Sequence, residues 1–81
     1  MNHTSAVLIV RTPTGEWVKG DPFWPKTTTV ITDAARLSNL SDAKKFVKTA
    51  TKRLKAGELK IVKAVAEYDS NFICVGVKEE T

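Results

Sequence analysis

The chain has 81 residues, 42% of them hydrophobic, and carries 13 lysines and arginines against 9 aspartates and glutamates, for a net charge of +4. That length makes a single domain, residues 1–81, which buries only about 60% of the surface its unfolded form exposes, and the apolar share argues against wholesale disorder. The charge biases the protein mildly toward anionic partners, well below the density of a histone-like arm.

Cys74 is the only cysteine, so no internal disulfide is possible and a reducing compartment is expected. The start, Met1 to Ser5, lacks a charged signal-peptide region, and the apolar run Ala6 to Val10 is too short for a signal core. No stretch is long enough to span a bilayer. The expected location is cytoplasmic.

Residues 5–11, SAVLIVR, are β-branched and apolar and predict a strand buried on both faces. Pro13 and Gly15 suit a turn, and residues 16–19 continue as a second strand, giving a hairpin of 6–11 with 16–20. Asp21 to Pro25 reads as a loop, because closely spaced prolines exclude an interior strand or helix. Phe23 and Trp24 on that loop either fold back to cap the core or stand out as a rigid binding anchor. Residues 27–31, TTTVI, predict a third strand. Residues 32–37 form a short turn with a single helical turn, capped by Asp33 or Thr32, that brings Leu37 to the core.

Residues 38–57 form the segment with a strong helical period. Leu40, Ala43, Val47, Ala50 and Leu54, widened by Phe46, fill an arc of roughly 120°, the width of a helix laid on a core. Asn39 is placed to accept a bond from the Asp42 amide, with Ser41 a competing cap. Asp42 in the first turn and Lys52, Arg53 and Lys55 in the last suit the helix dipole, and Gly57 suits a left-handed terminating residue. Lys44, Lys45, Lys48, Lys52 and Lys55 project nearly opposite the apolar stripe, so the helix has a buried face and a basic face.

Residues 59–68 then predict a strand in which Val62, Ala64, Ala66 and Tyr68 alternate with more polar neighbours and face the helix. Asp69 to Asn71 is a turn. Residues 72–78 predict a last strand with Ile73, Val75 and Val77 on one face. Gly76 marks a bulge or a close approach of the helix, and residues 78–81 a frayed tail. The expected fold is α+β, a small antiparallel sheet with one amphipathic helix on one face, in the order β-β-β-α-β-β.

No catalytic constellation accompanies this pattern. His3 is the single histidine and lies in a terminal segment expected to be mobile. Cys74, inside an apolar strand, reads as a small hydrophobe. Metal-ligand spacing and glycine-rich phosphate loops are missing, and Asp33 and Asp42 read as caps. The expectation is a protein that is not an enzyme and needs no cofactor or metal. The lysine face is either a solubilising surface or a contact for an acidic protein or for nucleic acid. Being nearly all lysine without aromatics, it lacks the bidentate and stacking groups of nucleic-acid binders.

Asp33, Ala35 and Leu37 after a strand, followed by Asp42, Ala43 and Phe46 opening a helix, resemble a pattern in small accessory proteins of phages and prophages, chiefly of Gram-positive bacteria. The likeness covers residues 28–47, about a quarter of the chain, and Leu37 stands where an aromatic is common. The resemblance implies a non-enzymatic host-takeover or counter-defence protein, such as an anti-CRISPR, that inhibits a host complex by binding it in the bacterial cytoplasm. The expected partner is a host protein or ribonucleoprotein. Lys44, Lys45, Lys48, Lys52, Lys55, Phe23 and Trp24 are the candidate contacts. The alternative is a small basic nucleic-acid-binding module.

Overall fold

The computed structural model describes residues 2–80. The elements are β1 (His3–Arg11), β2 (Trp17–Asp21), β3 (Trp24–Thr28), a 3-10 turn (Ile31–Asp33), α1 (Leu40–Leu54), β4 (Lys60–Tyr68) and β5 (Cys74–Glu79). The strands make one five-stranded antiparallel sheet in the order β3-β2-β1-β4-β5, an α+β fold of the expected element order. Its centre is the β1–β4 pair, in register from His3 opposite Tyr68 to Arg11 opposite Lys60. The valines and isoleucines of both strands stiffen them for this setting. His3 is therefore not a mobile terminal residue: it pairs in β1, and its ring stacks on Phe72 with centroids 5.6 Å apart.

The predicted hairpin of β1 with β2 forms only at its base. The Thr12 hydroxyl accepts the Glu16 amide at 3.1 Å, the Thr12 amide donates to the Glu16 carbonyl at 2.8 Å, and Gly15 takes φ 89°, a backbone position open to glycine. Beyond Arg11 opposite Trp17 the two strands part. The segment after the 3-10 turn fills the gap, with the Ala35 amide donating to the Val18 carbonyl at 3.0 Å and Leu8 and Leu37 exchanging two bonds of 2.8 Å. This wedge satisfies backbone groups that the split would leave unpaired.

The third strand runs over residues 24–28 rather than 27–31. Asp21 pairs with Trp24 across the two-residue connection Pro22–Phe23, where the Asp21 carboxylate accepts the Phe23 amide at 2.8 Å. Pro25 is accommodated because β3 is an edge strand, where a missing amide costs little. The strand stops early because the Thr28 hydroxyl accepts the Val30 amide at 3.0 Å, a local bond that competes with sheet pairing. The 3-10 turn has no side-chain cap, so neither Thr32 nor Asp33 fills the expected role.

Two core clusters result, one on each side of the sheet. Val10, Val18, Phe46, Ala50 and Leu59 pack on the helix side, with Leu37, Val47 and Leu54 at the margin. Val7, Ile9, Trp17, Ala34, Ala64 and Ala66 pack on the other, with Ile31, Val62, Tyr68, Cys74 and Val77 around them. The apolar set of β4 thus belongs to the side away from the helix, contrary to the sequence expectation. The sheet curls, so the 3-10 turn and Ala34 cover that side. Leu40 also departs from its expected place: as the first helical residue it overhangs the core and is 52% exposed.

The Asn39 carbonyl oxygen of the side chain accepts the Asp42 amide at 2.8 Å, the expected N-cap. The left-handed residue that ends α1 is Lys55, at φ 53° and ψ 36°, rather than Gly57. Gly57 has φ 95° as well, and a Cβ there would stand 3.1 Å from Pro13 Cγ. In β5 the pairing skips Val75, since Glu67 faces Gly76 and Tyr68 faces Cys74. This bulge sends Cys74 and Val77 toward the core and leaves Ile73 and Val75 exposed, so the expected shared face of Ile73, Val75 and Val77 does not form. A Cβ on Gly76 would meet nothing within 4 Å, so the helix makes no close approach there. The expected tail is structured through Glu80, whose amide donates to the Lys63 carbonyl at 2.9 Å; Thr81 lies outside the described residues.

Candidate functional site

The lysines of α1 are all exposed, while Ala43, Phe46 and Ala50 are buried. The charged arc therefore stands in solvent as the periodicity requires. No ion pair neutralises it among the described residues, where the one ion pair is Arg11 with Glu79 at 3.9 Å on the sheet.

Phe23 and Trp24 are 56% and 77% exposed, so the core-capping reading does not hold for either ring. The tight Asp21–Trp24 turn sends them to different sides. Phe23 and Pro22 lean toward α1 and share with Leu37, Asp42, Lys45, Phe46 and Thr49 a groove of about 350 Å³. Trp24 shares a face of β3 with Thr28, which pairs with Trp17 of the far-side core. It therefore points away from the helix.

The structure thus sets Phe23 on the same groove as Lys45, at the near edge of the basic arc, and as Asp42, and separates Trp24 from them. Lys44, Lys48, Lys52 and Lys55 continue the arc away from the groove. The sequence gives no sign of this division, because a turn shifted by one residue exchanges the two aromatics between faces. The groove offers an apolar slot lined by Phe23 and Phe46, with the Lys45 ammonium and the Asp42 carboxylate both on its lining. An extended or helical segment that places an apolar side chain in the slot and a carboxylate beside it matches this chemistry.

Further exposed apolar residues, absent from the sequence-based candidates, follow the β4–β5 turn: Phe72, Ile73 and Val75. Phe72 holds φ 61°, a strained value for an aromatic residue, in a turn where the Asp69 carboxylate accepts the amides of Asn71 at 2.8 Å and Ile73 at 3.1 Å.

Among the described residues no group of three or more His, Cys, Asp or Glu is arranged to hold a metal ion, and no helix is long and apolar enough to cross a membrane. Compared with family models, curated proteins and solved structures, the chain matches none.

Proposed function

We propose that this protein is a non-catalytic binding module of the small phage-accessory type, which inhibits a host defence or nucleic-acid-processing complex by occupying an acidic surface of it. The observation that carries the reading is the groove lined by exposed Phe23, by Phe46 and by the charged pair Asp42 and Lys45, with Lys45 at the edge of a lysine arc that makes no ion pair among the described residues. An apolar anchor site with Lys45 and Asp42 on its lining, continued away from Asp42 by the lysine arc, fits a protein segment that seats an apolar residue in the groove and sets carboxylates along the lysines. The anchor supplies affinity and the lysines supply steering and register. A basic surface of this kind cannot imitate DNA, so competition for an effector's nucleic-acid channel is not the mechanism; attachment to an acidic protein patch is.

The test is a phage-plating assay in bacteria carrying a nuclease-based defence, paired with calorimetry against the purified, nucleic-acid-free effector. The wild-type protein should restore plating and bind the effector. The triple variant Lys44→Glu, Lys48→Glu, Lys52→Glu should bind on the order of tenfold or more weakly with a nearly unchanged melting temperature, and Phe23→Ala should weaken binding with the charges intact. Full inhibition by both variants would overturn the assignment of the surface. Failure of the wild-type protein to inhibit or bind across the defence types would overturn the function.

A further inference from the structure

The side of the sheet away from the helix carries a separate charged surface. Strand register places Lys19 directly opposite Lys26, and Asp21 opposite Trp24. Alternation puts all of them on the side of Trp17. One row further in, Trp17 pairs with Arg11, which pairs with Lys60, and the Arg11 guanidinium lies 5.7 Å from the Trp17 ring centroid. Lys60, Arg11, Lys19 and Lys26 therefore form a run of cations across four strands, ending at the 77% exposed ring of Trp24. Neighbouring positions in such a run are about 5 Å apart between strands and about 7 Å along one.

Like charges directly opposite on a sheet repel, and no carboxylate pairs with Lys19 or Lys26 among the described residues. The nearby acids are otherwise placed or few: Glu79 pairs with Arg11, the Asp21 carboxylate accepts the Phe23 amide, and Glu58 borders the Lys60 end. An anionic strand laid across this surface would relieve the repulsion. The free indole face is a sequence-tolerant platform for a base, and it supplies the aromatic that the helix face lacks.

We propose that this surface binds single-stranded nucleic acid, with phosphates along Lys60, Arg11, Lys19 and Lys26 and a base stacked on Trp24. Duplex is disfavoured because its bases present no free face to the indole. The site lies across the sheet from the Phe23 groove and goes beyond the proposed protein contact, so either can fail without the other.

The experiment is a fluorescence titration with 16-nucleotide oligo(dT) and oligo(U) on the Trp17→Phe variant, in which Trp24 is the sole emitter. Both strands should quench Trp24 at low salt, with affinity falling as salt rises; equal affinity for the two marks backbone-and-stacking recognition, and preference for one identifies the source. Trp24→Ala, followed by anisotropy of a labelled strand, should weaken binding about tenfold, whereas Trp24→Phe should retain most of it. Lys19→Gln with Lys26→Gln should lower the salt slope by about one to two. Trp24 and Lys26 are exposed and Lys19 is half-buried, and circular dichroism melts check that the variants fold. The proposal is overturned by absence of quenching at low salt. It is equally overturned by binding that survives Trp24→Ala and the paired glutamines but is lost in the Lys44, Lys48, Lys52 triple variant, which would move the nucleic acid to the helix.

Discussion

The two sides of the sheet are covered by opposite means. On one, a fifteen-residue helix (Leu40–Leu54) lays Phe46 and Ala50 against Val10, Val18 and Leu59, with Val47 and Leu54 at the margin. On the other, a three-residue 3-10 turn and the buried methyl of Ala34 suffice, because the sheet curls and its own residues, Val7, Ile9, Trp17, Ala64 and Ala66, supply the bulk. Curling lets a short covering turn close that side, and at the β2–β3 end Phe23 borders the helix side while Trp24, Lys19 and Lys26 occupy the other.

The comparison breaks most sharply at Phe46. Phe46→Ala should cost about 3–5 kcal/mol, and hydrogen exchange should show α1 amides losing protection ahead of those in β1 and β4. Equal loss in both would mean that the clusters act as one core. Ala34→Leu tests the other side: it adds volume under a turn that has no room, and should cost about 1–3 kcal/mol, read in a denaturant melt. Little or no cost would show that the turn lifts freely and does not close the far side.

Smaller changes probe how the helix is held in place. Asn39→Ala removes the acceptor of the Asp42 amide and should cost about 1 kcal/mol. An unchanged midpoint would mean that water or Ser41 replaces the cap. Lys55→Gly should be close to neutral or stabilise by up to about 1 kcal/mol, since the left-handed position at φ 53° is free of Cβ strain in glycine. A clear loss of stability would show that the Lys55 side chain contributes more than the strain it carries.

The helix was legible because its signals are local. The three-and-four spacing of Ala43, Phe46, Val47, Ala50 and Leu54, the Asn39 cap and the exposure of the lysines all follow from positions within one element. The five strands were legible to within a few residues for the same reason, since β-branched runs between turn residues announce themselves. Even so, the prolines around Phe23 and Trp24 hid an edge strand, because a proline's cost depends on whether its strand has a second neighbour. That is a property of the sheet and not of the segment.

Sequence alone determined the element order, the amphipathic helix and its basic face, because periodicity and capping act over a few residues. Only the tertiary structure decided which side each strand residue serves. The β4 alanines turned away from the helix because the sheet curls, and the Val75 bulge redirected Cys74 and Val77. The wedge at Leu37 parted β1 from β2. The turn after Asp21 set Phe23 beside Lys45 and Trp24 with Lys26 on the other side. A strand's side chains alternate with a period of two, so a one-residue difference in where a turn falls reverses every face beyond it, and that choice is made by long-range packing.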